Sequence, residues 1–187
     1  QYISGGSGIE KALEYDHAEK LLLQQKLTGC AARADLILVD TGAGLGRNVM
    51  DFILAADEVL LVTTPEPTSL TDAYAVMKAY SIYAAQKNLR LIINRVYEQK
   101  ESREVAFKLQ RAADKFLHMQ VPCLGYVFED TAVTKAVRQQ TPLIKAAPNA
   151  AAARCIDALA EALITGDEMC IKRGWKGFLQ QIFNFSA

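Results

Sequence analysis

The chain has 187 residues, 51% of them hydrophobic and 22% charged, enough to bury one sizeable core. Its 21 basic and 21 acidic residues cancel, so no global charge marks a nucleic-acid binder. The cysteines Cys30, Cys123, Cys155 and Cys170 form no C-x-x-C pair, and only His17 and His118 are present, which argues against redox and histidine-ligated metal roles. With no apolar run of about 18 residues and no cleavable signal at the start, the chain reads as cytoplasmic. It begins with Gln1 rather than Met, the expectation for a piece of a longer protein.

Residues 1–35 open on the glycine-rich turn Gly5-Gly6-Ser7-Gly8, followed by an expected helix from Ile9 to Leu27. The run from Gly5 to Ala12 imitates a phosphate loop, but Glu10, Lys11 and Ala12 stand where such a loop needs G-K-[S/T], so it reads as a structural turn. Leu36-Ile37-Leu38-Val39 are four consecutive β-formers, the pattern of a strand buried on both faces of a parallel sheet. They deliver Asp40 into the loop Thr41-Gly42-Ala43-Gly44-Leu45-Gly46. An acid there lies where open α/β sheets bind ligands. The glycines and the helix start behind them suit an anion, and an acid beside a phosphate makes sense with a Mg²⁺ between them.

The helix from Arg47 is expected to bury Val49, Met50 and Ile53. Val59 to Thr64 reads as a second buried strand, stopped by Pro65-Glu66-Pro67. Ser69-x-x-Asp72 reads as a capping box, and Leu70, Ala73, Tyr74 and Met77 as the core stripe of the next helix. Leu91-Ile92-Ile93-Asn94 is a third strand with Arg95 just past its end. A helix over Ser102 to Leu117 follows, with Val105, Leu109, Ala112 and Phe116 on one face. Val121 to Val127 is a fourth, irregular strand, then come Glu129-Asp130 and a short helix near Ala132 to Gln139. Past Pro142 and Pro148, a last helix near Asn149 to Ile164 is expected to bury Ala152, Ile156, Leu159 and Leu163. Strands alternating with helices imply right-handed crossovers and a parallel sheet, with residues 1–167 as one domain.

Residues 168–187 have a different character. Trp175, Phe178, Leu179, Ile182 and Phe183 repeat at helical spacing behind Lys172, Arg173 and Lys176. This is the pattern of a short amphipathic helix for a membrane surface or a partner. Each large apolar side chain buried there is worth roughly 1.5–3 kcal/mol. Each basic residue near an anionic leaflet adds about 1 kcal/mol.

The strand ends bring Asp40, then Thr63-Thr64-Pro65-Glu66, then Asn94-Arg95, then Glu129-Asp130 to one edge. An asparagine amide there offers a donor and an acceptor side by side, which suits adenine, or it caps a loop. A dinucleotide fingerprint fails, because it needs glycine at Arg47 and an acid where Thr63 and Thr64 stand. A P-loop-type nucleoside triphosphatase fits better, with Asp40 as the Walker B acid and Gly44 at the γ-phosphate, although no Walker A loop lies in these residues.

D-T-G-A-G at Asp40 to Gly44, N-V-M-D-F at Asn48 to Phe52 and A-A-D-E-V at Ala55 to Val59 resemble the MinD/ParA group of deviant-Walker ATPases. So do T-T-P-E-P-T at Thr63 to Thr68, T-D-A-Y at Thr71 to Tyr74 and N-R at Asn94-Arg95. The early G-G-S-G, L-G-Y-V at Leu124 to Val127, R-x-Q-x-P-L at Arg138 to Leu143 and P-N-x-x-A-A at Pro148 to Ala153 are similar to its flagellar number and placement regulators, the FlhG/FleN/YlxH type. The resemblance implies an α/β fold of the P-loop NTPase-like (SIMIBI) kind, a mostly parallel sheet flanked by helices, truncated at the N-terminus and carrying a C-terminal amphipathic helix.

It further implies a Mg-ATP-dependent switch in which ATP joins two copies and the dimer binds membrane through the tail. Asp40 would hold Mg²⁺ through water, Ala43 and Gly44 would sense the γ-phosphate, Asn94 and Arg95 would contact the adenine, and Glu129 and Asp130 would lie beside base or ribose. The implied partners are a second copy, a signal-recognition-type flagellar GTPase, flagellar switch or C-ring proteins, and the inner face of the cell membrane. Two departures stand out. The family's Walker A loop, first strand and second-strand acid would precede Gln1, so this chain alone is expected to hydrolyse no ATP and to fold poorly. The family also usually has proline where Phe128 stands. The alternatives are a MinD-type division-site or ParA-type partitioning ATPase and a nucleotide-independent adaptor.

Overall fold

A computed structural model describes residues 28–29, 33–42, 44–84 and 88–165. They fall into two compact units, one reaching Asp57 and the other starting at Glu58. The expected N-terminal turn and helix, Ala43, and the whole amphipathic tail (Lys172, Arg173, Trp175, Lys176, Phe178, Leu179, Ile182 and Phe183) lie outside the described residues.

In the first unit the run Leu36 to Val39 is not a strand, and its side chains are exposed, Leu38 at 72% and Leu36 at 56%. This corrects the expectation of a buried strand. A parallel strand exists through ladder bonds to its neighbours, and no described strand pairs with this run. Helix α1 (Arg47–Ala55) follows Gly46. It buries Asp51, Leu54 and Ala55, while Val49, Met50 and Ile53 are half-buried, so its inner face is turned from the expected one.

The second unit is a parallel three-stranded sheet in the order β1 (Val59–Thr63), β2 (Leu89–Val96), β3 (Cys123–Phe128). The central strand is the apolar one: Leu89, Leu91, Ile93 and Val96 are at most 1% exposed. Covering by neighbours on both sides is what a run of that composition needs. β1 is less buried than its sequence suggests, with Val62 56% exposed. Only β2 pairs with it among the described residues.

Helix α2 (Pro67–Tyr83) starts with Pro67 in its first turn, where a missing N–H costs nothing. It buries Ala73, Val76, Met77 and Tyr80, an i, i+3, i+4, i+7 seam. Helix α3 (Gln99–Leu117) packs on α2 and on the sheet through Ser102, Val105, Ala106, Leu109 and Ala113. Phe116, expected inside, is 62% exposed in the last turn of α3, and Ala113 rather than Ala112 is the buried alanine. Two short helices, α4 (Thr131–Arg138) and α5 (Leu143–Ala146), precede α6 (Ala151–Thr165), which packs on β3. Ala152 and Ala153 are its buried residues, Leu159 and Leu163 are half-buried and Ile156 is 40% exposed. Small residues are inside because α6 comes very close: a Cβ on Gly125 would lie 2.8 Å from Leu159 Cδ2.

Candidate functional site at the strand ends

In the second unit the three parallel strands end side by side, and residues in and just past those ends interact. At the end of β1, Thr63 is 2% exposed and its hydroxyl lies 2.9 Å from the Ser69 hydroxyl. Thr63 also donates to the Ser69 carbonyl at 3.1 Å, and Thr64 N–H donates to Ser69 Oγ at 3.1 Å. Ser69 therefore does not open a capping box. It sits inside α2, whose N-cap is Glu66, and fastens that helix to the strand end. Thr71 bonds back to the Pro67 carbonyl in the same turn.

At the end of β2 the ladder is bulged. Ile93 faces Tyr126 and Val96 faces Phe128, so Asn94 and Arg95 together oppose Val127. Arg95 takes up the extra length with a left-handed φ of 59°, uncommon for a residue with a side chain. Its N–H donates to Asn94 Oδ1 at 2.9 Å. The loop-capping role of the Asn94 amide is thus present, through its oxygen. Both amide hydrogens and one oxygen lone pair stay available for a ligand.

Arg95 reaches the neighbours on both sides. Its Nε donates to Glu129 Oε2, past β3, at 2.7 Å, and its Nη1 lies 3.7 Å from Glu66 Oε1, past β1. The hydrogen bond and charge of Glu129, then the charge of Glu66, hold Arg95 above its ordinary pKa. Glu66 is held below the usual carboxylate range, first by the Thr64 hydroxyl, then by its own backbone N–H, with Arg95 adding to it. Glu129 N–H donates to the Val96 carbonyl at 2.9 Å, which keeps β3 in line with the end of β2.

Asp130 is placed differently from Glu129. As the N-cap of α4 it accepts from Ala132 N–H at 2.8 Å, and its other oxygen accepts from Ala152 N–H of α6 at 3.2 Å. Those amides, Ala132 first, hold its carboxyl below the ordinary range. Both oxygens bond to helix starts of the protein itself. An aspartate directly before a helix was the available signal for this role. Glu66 was visible at the strand end, but its pairing with Arg95 depends on the bulge and was not.

In the first unit Asp40 is exposed, four residues before Gly44. Gly44 has φ 103°, a conformation a side chain would strain, and nothing lies within 4 Å of where a Cβ would be. That is an open backbone of the kind an anion can approach. Among the described residues no three His, Cys, Asp or Glu side chains cluster to hold a metal. A Mg²⁺ reaching Asp40 would take most of its ligands from water and phosphate oxygens, as this ion commonly does. The donors at the second unit's strand ends, an amide and a guanidinium, fit a nucleobase.

No family model matches the chain. It is 32% identical over 159 residues to the antiactivator FleN of Pseudomonas aeruginosa, covering 85% of this chain and 57% of FleN. It is 31% identical over 190 residues to the flagellum site-determining protein YlxH of Helicobacter pylori, covering 99% of this chain and 60% of YlxH. Among solved structures it matches the MinD cell division protein of Aquifex aeolicus with a TM-score of 0.62, at 22% identity over 84% of this chain and 64% of that one. It matches MinD of Pyrococcus horikoshii, complexed with Mg-ADP, with a TM-score of 0.59, at 25% identity over 80% of this chain and 60% of that one. The chain spans 57% to 60% of the length of the curated flagellar relatives. Sequence similarity to the flagellar regulators FleN and YlxH runs along most of this chain, and its parallel sheet has the fold of MinD.

Proposed function

We propose that this chain is the larger part of a nucleotide-dependent, dimerising, membrane-associated switch that regulates the number or placement of flagella. The observation that carries the reading is the similarity to FleN and YlxH, at 31% to 32% identity over 85% to 99% of this chain. Bound Mg-ATP would supply the phosphate charge that separates an on state from an off state. Asn94 offers its amide to the base edge, and Arg95, fixed by the bulge, lies beside it. Asp40 would hold Mg²⁺ through water, and Gly44 would let its backbone approach the γ-phosphate. The N-terminus of α2, fastened by Ser69 to Thr63, holds the first strand end in place. The tail from 168 to 187 would carry Trp175, Phe178, Leu179, Ile182 and Phe183 to the inner face of the cell membrane, with Lys172, Arg173 and Lys176 on its anionic headgroups. A second copy, a flagellar signal-recognition-type GTPase and switch or C-ring proteins are the proposed partners.

The deciding experiment is genetic. Deleting the coding region and counting flagella by electron microscopy should change their number or position, and the wild-type gene should restore it while an Asp40→Ala allele should not. Normal flagellation with misplaced division septa would favour the MinD-type role instead. Complementation by the Asp40→Ala allele would favour the nucleotide-independent adaptor.

A further inference from the structure

Arg95 is hydrogen-bonded to the acid past β3 and ion-paired with the acid past β1, through two different nitrogens of one guanidinium. Glu129 takes Nε at 2.7 Å and Glu66 lies 3.7 Å from Nη1. A single carboxylate would leave the group free to turn about that one bond. The charge of Glu66 at a second nitrogen biases which way the group turns about that bond. The side chain nevertheless stays 57% exposed, so it is held without being covered. The backbone adds to the constraint, with φ 59° at Arg95 and its N–H bonded to Asn94. Arginine held flat at its edges is suited to stack on a planar ring. Holding it before the ligand arrives lowers the ordering cost of binding.

We propose that Glu66 and Glu129 are positioning residues for Arg95, setting its guanidinium as a fixed flat seat for a nucleobase whose edge Asn94 reads. The inference rests on the nucleotide reading above and deepens it. It gives Glu66 a role at the site and makes Glu129 act through Arg95 rather than by touching the base. A structural clip between strands would use the same bonds but would be indifferent to whether a ligand carries a base.

The test is equilibrium binding of ATP and of inorganic tripolyphosphate in Mg²⁺, by calorimetry, to the full-length protein of which this chain is proposed to be the larger part. Glu129→Gln and Glu66→Gln should each weaken ATP about two- to fivefold, the size expected for breaking an exposed ion pair. Arg95→Ala should weaken it about tenfold. Tripolyphosphate binding should not change in any of them. In the Arg95→Ala background the glutamine substitutions should add nothing, and Glu129→Asp should recover part of the loss. Equal losses for both ligands, additive losses on Arg95→Ala, or an Arg95→Ala chain that binds ATP like wild type would each overturn the seat. A wild-type chain that binds tripolyphosphate as tightly as ATP has no base seat. One that binds neither ligand overturns the nucleotide reading itself, and this inference with it.

Discussion

Glu129 and Asp130 are adjacent in sequence, yet they bond to different parts of the molecule. Glu129 accepts from Arg95 at 2.7 Å, across the boundary between two strand ends, while Asp130 binds the amides of Ala132 and Ala152 at two helix starts. One acid therefore belongs to the candidate site, and its neighbour holds the framework behind it.

Asp130→Ala should lower the melting temperature by several degrees, since it removes the cap of α4 and an acceptor for the start of α6 in one change. Asp130→Asn, still able to cap one helix, should fall between wild type and alanine. Thermal unfolding followed by circular dichroism reads the difference.

Acid should weaken the same connection. The folded-state pKa of Asp130 lies below its ordinary value, and that of Glu66 does too. Such groups bind fewer protons when folded, so their contribution is complete above the unfolded carboxylate range near about 4 and is lost as pH falls through the folded values. Melting curves from pH 6 downward should show a fall in stability below about pH 4 that is smaller in Asp130→Asn than in wild type.

Ser69→Ala leaves the buried Thr63 hydroxyl with the Ser69 and Thr64 carbonyls but no hydroxyl partner, and takes away the acceptor of Thr64 N–H. The expected cost is about 1–2 kcal/mol. Thr63→Val, which removes the hydroxyl and keeps the shape, should cost less than about 1 kcal/mol, and the two changes should be non-additive in denaturant titrations.

Gly125→Ala should destabilise by about 1 kcal/mol, because the new methyl displaces the end of Leu159 in a tight strand–helix contact. In a Leu159→Ala background the same substitution should cost nothing. If it still does, backbone conformation rather than contact is the reason for glycine there.

The metal and the tail have separate readouts. Chelating Mg²⁺ should weaken ATP binding about tenfold or more in wild type, while Asp40→Asn should bind weakly with and without the metal. Removing residues 168–187 should abolish co-sedimentation with anionic vesicles and leave nucleotide affinity unchanged. Retained vesicle binding would remove the membrane role of the tail.

Two nearly identical signals in the sequence had opposite outcomes. Leu36 to Val39 and Leu91 to Ile93 are both apolar runs, but the first is exposed and the second lies in the central strand of the sheet. Composition states what a segment needs, and only its pairing partners state whether it is supplied. The alternation of strands and helices, the placement of Asn94 and Glu129 near strand ends, and the helix after Asp130 were legible because turn and capping chemistry is local, whereas Arg95, expected just past its strand, lies inside β2, which runs on to Val96. Its left-handed backbone was not legible, since no glycine marks it. The Glu66 contact was not either, since it spans two strands and a bulge. The inner faces of α1, α3 and α6 were each misjudged in part, because which flank of an amphipathic helix is covered depends on the neighbour it meets.

The bond from Asp130 to Ala152 closes a 22-residue interval at its neck. Everything between, α4, Pro142, α5 and Pro148, leaves and returns at one carboxylate. Away from the buried Ala136, this excursion can lengthen while its ends stay together, because closing a longer loop costs little more than closing a short one. An inserted tag or reporter has here a place to occupy.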